Sequence, residues 1–401
     1  MPLPLLSLPN SDIMKTIIHI SADFPDPLVA AKTKAVRSLI DSAPGFLHVV
    51  YSINRASWRG GIAAHRFGEH HLAIAYGAPP YGVRLTHHLG LVADFISADL
   101  EHRKIQPDLL HAHKFTVEGI IAAKLSSATG APFIASFWGD SDRRIFEAKP
   151  ALRAVYRALA RQAALLLPAA PWTRDYFAAA LGLDRRAFEI LPVITMADNI
   201  IPPTLCPQPR FTSIFAFDSW KRKGFEVLVQ AMAAVSREIG AITLDVYGRG
   251  GPGALIDMTA LIRSAHMEEH VRLMPALDHA EVQRVMNLYS GFVLPSRPET
   301  YGMVFAEALL AGVPILWSQN QGLDGFFDEA NVGYRCDPQS VESVANGLRH
   351  LIADQARLKE RIGALQTQGA FEMLRRDAIA AQYGKLLAAA MRNCDQAASA
   401  A

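Results

Sequence analysis

The feature that most constrains the fold is an alternation of short apolar runs with longer helical patterns, which occurs twice along the chain. This alternation is typical of βαβ units, in which helices connect the strands of a parallel sheet. The two sets are separated by Ile201–Arg210, where four prolines in ten residues indicate a linker. We therefore predict two doubly wound, Rossmann-like α/β domains that face each other across a ligand-binding cleft.

Individual elements follow from the same patterns. In the first set we predict strands at Thr16–Ser21, His48–Ser52, Leu72–Ala75, Asp108–His111, Pro132–Ser136, Ala163–Ala169 and Phe188–Pro192, and helices at Lys32–Ser42, Val117–Ser127 and Ala151–Ala164. In the second set we predict strands at Thr212–Phe217, Ile242–Tyr247, Val271–Leu273, Gly291–Leu294 and Pro314–Trp317, and helices at Gly224–Glu238, Gly253–Ser264, His279–Leu288, Val304–Ala311, Ser340–Asp354 and Phe371–Met391.

Length and composition are consistent with this organisation and exclude some classes of protein. The 401 residues, 50% of them hydrophobic, can bury two ordinary cores. The formal net charge of +2 argues against nucleic acid as the main partner. The three cysteines, Cys206, Cys336 and Cys394, are scattered along the chain. Such a set fits a reducing compartment better than a disulfide framework, so we expect a cytoplasmic protein.

The sequence does not predict a chain that is embedded in a membrane. The first nine residues contain three prolines and no basic segment, so we expect no signal peptide, and Met14 could be the initiator. No apolar stretch approaches the roughly 18 residues of a spanning helix. Arg153, Arg157 and Arg161 recur on one helical face, which could lie on an anionic membrane surface. An ordinary domain helix with a solvated face is the favoured interpretation.

The strongest functional signal is the string Ser296–Pro314 (SRPETYGMVFAEALLAGVP). Glu299 follows a predicted buried strand, and Glu307 comes after seven intervening residues, in the first turns of the next helix. A loop that enters a helix presents free N–H groups suited to a diphosphate, and Gly302 would let the backbone approach it. Glu299 could then bind sugar hydroxyls, and Glu307 ribose hydroxyls. For either acid alone, an ordinary exposed glutamate is the alternative.

A second signal is the basic segment Trp220–Phe225 (WKRKGF), between a predicted strand and a predicted helix. A lysine placed before a glycine at a helix start, here Lys223, can reach a phosphate and offset the charge that develops on a leaving group. A solvated basic turn is the alternative interpretation of this segment.

The string with both glutamates resembles the Glu-x7-Glu motif of the retaining GT-B glycosyltransferases of family 4, also called the glycosyl transferases group 1 family. Other segments similar to the family occur in the family's order and support this resemblance. They are Asp108–His113 (DLLHAH), Phe137–Asp142 (FWGDSD), Lys223-Gly224, Tyr247–Gly250 (YGRG) and the closing helix.

The resemblance implies a GT-B fold in which residues 14–200 form the acceptor domain, helix 371–393 returns to that domain, and residues 205–370 form the donor domain. It implies a retaining hexosyltransferase that uses a UDP- or GDP-sugar and needs neither a metal nor another cofactor. The implied partners are the nucleotide-sugar and a saccharide or lipid-linked acceptor in polysaccharide or glycoconjugate biosynthesis. A peripheral contact with the inner face of the membrane is left open.

The resemblance also assigns roles to individual residues. The implied catalytic residues are Glu299, Lys223 and Arg222. The implied donor-binding residues are Glu307, Tyr301, Gly302, Met303, Val304 and Arg249, and the implied acceptor-binding residues are Asp26 and Asp142. For Arg249 a plain turn is an equal alternative, and the glycine-rich loop around it lacks the full spacing of a dinucleotide-binding fingerprint.

The sequence departs from the family pattern at several positions. Asp218 stands where family members have an arginine five residues before the lysine, and Trp138 stands where they have a histidine. The first loop, Asp23–Leu28, lacks the usual glycine pair, so Asp23 or Asp26 faces the acceptor there or the prolines form a rigid turn. These departures support a second hypothesis, a non-catalytic glycosyltransferase-like subunit that binds nucleotide-sugar or a partner. Epimerase and phosphorylase activities are disfavoured.

Several histidines occur in pairs, which raises the question of a metal. His111 and His113 alternate along a predicted strand end and could bind a metal ion. A zinc site needs three or four arranged ligands, and the sequence identifies no third one near this pair. We therefore predict that the protein has no metal site.

Overall fold

A computed structural model describes residues 14–29, 32–57, 60–328 and 330–399 of the chain. The described chain divides into two compact units. The first unit contains the described residues up to Ala135, together with Gln162–Ala164 and the segment from Leu386 onwards. The second unit contains Ser136–Arg161 and Leu165–Lys385.

Strands and helices alternate through most of the chain. The strands are β1 (Thr16–Ser21), β2 (Leu47–Ala56), β3 (Ile62–Arg66), β4 (His71–Gly77), β5 (Leu109–Ala112), β6 (Phe133–Phe137), β7 (Leu165–Pro168), β8 (Arg210–Ile214), β9 (Thr243–Tyr247), β10 (Val271–Met274), β11 (Gly291–Leu294), β12 (Ile315–Ser318) and β13 (Gly333–Cys336). The helices are α1 (Ala35–Asp41), α2 (Leu85–His102), α3 (Glu118–Thr129), α4 (Asp140–Ala148), α5 (Arg153–Gln162), α6 (Pro171–Leu181), α7 (Phe225–Ile239), α8 (Pro252–Ser264), α9 (Val282–Asn287), α10 (Met303–Leu310), α11 (Val341–Ala353), α12 (Gln355–Thr367) and α13 (Arg376–Ser399).

The strands form two sheets of the predicted type. The first sheet has the order β3-β4-β2-β1-β5-β6-β7, and the edge strand β3 runs antiparallel to β4. The second sheet has the order β10-β9-β8-β11-β12-β13, and its paired strands are parallel. Central strands such as β1, β5, β11 and β12 are buried at every residue, as expected when helices cover both faces. The two parallel-sheet α/β domains predicted from the alternation are confirmed.

The sheet order places the carboxyl ends of neighbouring strands side by side. In the second sheet β11 pairs with β8 on one side and with β12 on the other. The loops that follow these three strands therefore meet at one edge. These loops carry the basic segment around Lys223, the string with both glutamates and the turn at Gln321.

Some predicted elements differ from the structure. Phe188–Pro192 is not a regular strand, because only Phe188 forms a bridge, with Leu166 of β7. The predicted closing helix Phe371–Met391 is interrupted: a short turn at Glu372–Leu374 precedes α13. The carboxylate of Asp198 accepts the N–H of Arg376 at 2.9 Å and so satisfies a free donor where α13 begins. Within the described part of the chain, no helix has the length and apolarity needed to cross a membrane.

Candidate functional site

Glu299 lies in the loop after β11 and is held by both its main chain and its side chain. Its N–H donates to the side-chain oxygen of Gln321 at 2.7 Å, and its carbonyl accepts the N–H of Gly322 at 3.0 Å. The hydroxyl of Ser296 donates to Glu299 Oε2 at 3.0 Å. Neither Gln321 nor Ser296 was singled out in the sequence. The adjacency of β11 and β12 explains their role, because the loops after adjacent parallel strands meet.

Lys223 and Glu299 form an ion pair, which brings the two predicted catalytic residues together. Lys223 Nζ lies 2.5 Å from Glu299 Oε2, and the two side chains are only 14% and 10% exposed. Gly224 makes this approach feasible: it has φ 68°, and a Cβ at this position would lie 2.0 Å from the carbonyl oxygen of Pro295. A larger residue would force the basic turn away from the end of β11. Gly224 thus allows the basic turn to lie close enough to β11 for Lys223 to pair with Glu299.

The loop carrying Glu299 continues into the N-terminus of α10. Met303 and Val304 occupy the first turn, where helix geometry provides no carbonyl acceptor for their N–H groups. Gly302 precedes them with φ 71°, and a Cβ there would lie 2.5 Å from the ring of Phe305. The side chain of Tyr301 is buried, and its hydroxyl has no hydrogen-bond partner among the described residues. A donor contact at Tyr301 would therefore be a main-chain contact.

Glu307 lies in the second turn of α10 and is 5% exposed. Its carboxylate accepts the N–H of Met196 at 3.3 Å, which connects α10 to the segment before the proline-rich linker. Burial raises the pKa of Glu307 to about 7, and the hydrogen bonds from the main chain of Met196 and Ala197 oppose this rise only in part. The contact with Met196 was not predicted from the sequence.

Trp172, at the start of α6, binds the same loop from another direction. Its indole N–H donates to the carbonyl of Thr300 at 3.0 Å, one residue after Glu299. This residue was not identified from the sequence, because an apolar ring near a predicted strand end is indistinguishable from an ordinary core residue. Trp172 thereby ties α6 to the main chain of the Glu299 loop.

The glycine-rich loop after β9 lies against the turn that contains Asp218. The Asp218 carboxylate accepts the N–H of Gly251 at 3.0 Å, and a Cβ on Gly250 would lie 2.7 Å from the side chain of Phe217. Arg249 lies in this loop and is exposed. Arg222 is also exposed, and its carbonyl accepts the N–H of Arg297 at 2.7 Å. Asp218 is therefore a loop-capping residue in this protein.

Asp26 in the first loop is buried and saturated with hydrogen bonds. Its carboxylate accepts from Lys32 Nζ at 2.6 Å, from Asn54 at 2.9 Å and from Ser52 at 2.5 Å. Two N–H groups of the same loop add further bonds at 2.8 and 3.0 Å. Although burial acts in the opposite direction, the hydrogen bonds from Lys32, Ser52 and Asn54 lower the pKa of Asp26 to about 2. These contacts favour the rigid-turn alternative for this loop, with Asp26 as its anchor.

The neighbouring loops offer a more accessible carboxylate. Asp23 forms an ion pair with Lys114 at 2.7 Å, and its side chain is 34% exposed. Glu118, at the start of α3, accepts the N–H of Ala22 at 2.6 Å and the N–H of Lys114 at 2.5 Å. Glu118 therefore ties together the loops after β1 and β5. It was missed because it begins a helix that otherwise looks like an ordinary apolar one.

The turn that resembles the family's FWGDSD region is also closed internally. Asp142 is buried and accepts the N–H of Trp138 at 3.3 Å. The indole nitrogen of Trp138 is buried without a hydrogen-bond partner among the described residues. Asp142 could contact an acceptor only if this turn opened. The indole N–H of Trp138, in contrast, is available to donate a hydrogen bond.

The buried histidines form a larger cluster than the sequence indicated. His19 of β1 lies beside His111 and His113, and potential ligand atoms of the three lie within 4.8 Å of one another. His19 Nδ1 is 3.1 Å from His113 Nε2, His19 Nε2 is 2.8 Å from His48 Nδ1, and His48 Nε2 is 2.7 Å from the carbonyl of Ala43. Burial lowers the pKa of His19, His111 and His113. The premise that the pair lacks a third neighbour was therefore wrong.

The arginine-rich helix α5 buries part of its apolar face. Arg153, Arg157 and Arg161 are exposed, and Tyr156 and Leu159 are buried, whereas Val155 is 36% exposed. Tyr156 and Leu159 are therefore packed within the protein, as expected for an ordinary domain helix, and the arginines are solvated.

Comparison with known proteins agrees with the geometry. Residues 33–193 match the family model described as glycosyl transferase 4-like domain, and residues 201–366 match the model described as glycosyl transferases group 1. Together these models include the string with both glutamates, Lys223, and the loops after β5 and β6.

Relatives of known activity are similar over part of their length. N-acetyl-alpha-D-glucosaminyl L-malate synthase of Bacillus anthracis is 26% identical over 41% of this chain and 41% of its own length. GDP-mannose-dependent alpha-(1-6)-phosphatidylinositol monomannoside mannosyltransferase of Mycobacterium tuberculosis is 26% identical over 59% of this chain and 65% of its own length. The chain thus matches less than two thirds of the length of these relatives.

Solved structures match the fold over nearly the whole chain. Sucrose-phosphate synthase of Thermosynechococcus elongatus has a TM-score of 0.69 and 19% identity, and covers 96% of this chain and 100% of its own. HepE of Anabaena, solved with UDP, has a TM-score of 0.65 and 16% identity, and covers 94% and 100%. The fold is GT-B, and with both family models matched in order, the chain belongs to the group 1, or family 4, glycosyltransferases.

Proposed function

We propose that the protein is a retaining glycosyltransferase that moves a sugar from a UDP- or GDP-sugar to a saccharide or lipid-linked acceptor. The observation that carries this proposal is that Lys223, Glu299 and the first turn of α10 lie together at the carboxyl end of β11. A cation, a carboxylate and free N–H groups at a helix start are the groups that a sugar diphosphate requires. The family membership and the activities of the relatives support the same conclusion.

The diphosphate would be bound by Lys223 and the N–H groups at the start of α10. Without donor, Lys223 neutralises Glu299. A diphosphate carries more negative charge than one carboxylate, so we expect Lys223 to turn to the phosphate and free Glu299 for the hydroxyls of the transferred sugar. Exposed Arg222 lies next to Lys223 and adds positive potential at the leaving group.

The nucleoside would lie further along α10. Glu307 retains lone pairs beyond the contact with Met196, and a carboxylate can accept several hydrogen bonds from ribose hydroxyls. Arg249, exposed in the loop capped by Asp218, would contact the base or a phosphate in this proposal, as the family resemblance implies. The relatives include a GDP-mannose-dependent enzyme and a structure with UDP, so both bases remain in the proposal.

The chemistry would need no metal ion in this proposal. Lys223 and the helix-end amides offset the charge on the departing phosphate, and a phosphate oxygen of the donor takes the proton of the acceptor hydroxyl on the same face. This route retains the anomeric configuration. A cytoplasmic location in polysaccharide or glycoconjugate synthesis, with an acceptor that is soluble or presented at a membrane surface, completes the proposal.

A thermal-shift titration tests the donor site. The wild type is heated with UDP, GDP, ADP and their sugars, with and without EDTA, since a ligand that binds the folded state raises the Tm. We expect an EDTA-insensitive rise with one nucleotide, lost in Lys223→Ala and Glu307→Ala. Lys221→Ala is the matched control, because Lys221 is exposed in the same turn and lies over the Trp220 ring. No rise with any nucleotide would contradict the proposal.

A non-catalytic subunit that binds nucleotide-sugar or a partner is the second candidate. Two observations favour it: Asp218 is committed to capping Gly251, and Trp138 replaces the family's histidine. Turnover separates the two candidates. Release of nucleotide from the sugar donor by the isolated protein, abolished by Glu299→Gln, supports the enzyme, whereas binding without turnover supports the subunit.

A further inference from the structure

A cavity of about 390 Å³ lies beside the Glu299 loop. All of its lining residues belong to the second unit. They are Arg143, Trp172, Asp175, Tyr176, Asn320, Asp324, Gly325, Asp328 and Arg335. Its volume falls in the range of roughly 300–1,000 Å³ that is usual for small-molecule sites.

We propose that this cavity, the rim cavity, binds a neutral saccharide and is a subsite for the acceptor. The assignment of the saccharide as acceptor rests on the proposed transferase function. The argument uses three observations: the chemistry of the lining, its charge, and the contacts that join the cavity to the loop of Glu299.

The lining combines two aromatic side chains, Trp172 and Tyr176, with hydrogen-bonding groups of both kinds. The indole of Trp172 is accompanied by the guanidinium of Arg143, 5.9 Å from the ring centroid. Asp328 and Arg335, also in the lining, lie 3.8 Å apart and are about half exposed. Carboxylates accept hydrogen bonds from sugar hydroxyls, and guanidinium groups donate hydrogen bonds to the hydroxyl oxygens. An aromatic ring covers the apolar C–H face of a sugar. This combination suits a polyhydroxylated ring.

The charge of the lining argues against a phosphate or a second nucleotide. Three aspartates and two arginines line the cavity. Both arginines are already paired, Arg143 with Asp140 at 3.1 Å and Arg335 with Asp324 at 3.6 Å. Asp175 is likewise paired, with Arg174 at 2.8 Å and Arg185 at 3.1 Å. A phosphate would therefore find no unpaired guanidinium in the lining, whereas a neutral ligand can add its hydroxyls to these charges without breaking an ion pair.

Two contacts join the cavity to the donor motif. The indole N–H of Trp172 donates to the carbonyl of Thr300, and Asn320 precedes Gln321, whose side chain accepts the N–H of Glu299. The cavity walls are thus the same segments that hold the main chain of Glu299 and Thr300. A saccharide in the rim cavity would lie beside the loop whose carboxylate we assign to the transferred sugar.

Saturation-transfer NMR tests the proposal with methyl glycosides of glucose, galactose, mannose and N-acetylglucosamine. The measurement is made with and without the nucleotide that raises the Tm. We expect transfer to at least one glycoside and binding about tenfold weaker in Asp328→Ala and Arg335→Ala, since each removes a charged hydrogen-bonding group. Arg349→Ala, which breaks an exposed ion pair with Glu238 in the same unit, is the control and should retain binding.

Glu299→Gln distinguishes the rim cavity from the donor site. We expect this variant to retain glycoside binding, whereas a sugar held at the donor site would be lost. The proposal is overturned if no glycoside shows transfer while a nucleotide still raises the Tm, or if the rim variants bind as the wild type does. If the rim-dependent binding persists but no nucleotide binds, the acceptor assignment fails together with the proposed function. Asp328→Asn and Arg335→Lys replace any rim variant that does not fold.

Discussion

The buried carboxyl of Glu307 predicts a specific pH dependence of stability. Its pKa rises from the ordinary value of 4.5 to about 7 because α10 removes it from water. No cation is paired with it among the contacts described, and its carboxylate accepts main-chain hydrogen bonds from Met196 and Ala197. We therefore expect Glu307→Gln, which keeps an acceptor oxygen and removes the titration, to be more stable than the wild type at alkaline pH.

The sign and size follow from proton linkage. A carboxyl whose pKa is raised in the folded state contributes stability that is fully present below its unfolded pKa and is lost as the pH rises through about 7. The difference between the two pKa values, about 2.5, corresponds to ~3.4 kcal/mol over the whole window. Between about pH 6 and about pH 8.5, the part of this loss that is accessible to measurement is ~1.4 kcal/mol.

Denaturant unfolding of the wild type and Glu307→Gln at about pH 6 and about pH 8.5 measures this loss. We expect the free energy of unfolding of the wild type to fall by about 1.4 kcal/mol more than that of the variant. Glu360→Gln, at an exposed position on α12, is the matched control and should follow the wild type. Parallel pH profiles for the wild type and Glu307→Gln would refute the reasoning, because they would mean that Glu307 titrates alike in both states.

Three further predictions concern the donor site. Lys223→Ala should weaken nucleotide-sugar binding by about tenfold or more, as measured by calorimetry. Lys221→Ala should weaken it by less than about twofold, because only Lys223 lies beside Glu299. Asp218→Asn should tighten nucleotide binding by severalfold in the same assay, because the amide oxygen still caps Gly251 while a negative charge near the phosphates is removed; unchanged affinity would place the phosphates elsewhere. Trp172→Phe should raise the KM for the donor, because it removes the hydrogen bond to Thr300, and lower the Tm, because it also shrinks a buried ring; equal kinetics would contradict this.

The periodic elements could be predicted from the sequence because short apolar runs alternate with helical patterns. Strands such as β1 and β11 are buried at every residue, and their bounds agree with the predicted ones. The edge strand β3 was missed because most of its residues are exposed and its sequence has no apolar run. Phe188–Pro192 has the composition of a strand, yet only one of its residues forms a bridge. Composition does not determine pairing.

The candidate site was predictable as a set of residues but not as a set of contacts. The proximity of Lys223 and Glu299 follows from the adjacency of β8 and β11, which sequence order does not reveal. The carboxylate of Asp26 looked available in the sequence, but Lys32 and Ser52 occupy it in the structure. Gln321 carries no signal of its own, since its importance arises only from the loop it faces. Long-range hydrogen bonds are the information that the sequence pattern lacks.

The histidine cluster has a consequence for proton positions. The carbonyl of Ala43 can only accept, so His48 carries its proton on Nε2 and offers a lone pair at Nδ1. His19 must then donate through Nε2 and accept at Nδ1, which obliges His113 to donate through Nε2. One peptide oxygen after α1 thus sets the tautomers of His48 on β2, His19 on β1 and His113 just after β5. A metal ion held by His19 Nδ1 and His113 Nε2 would have to displace the proton on His113 Nε2. It would thereby break this series of histidine hydrogen bonds.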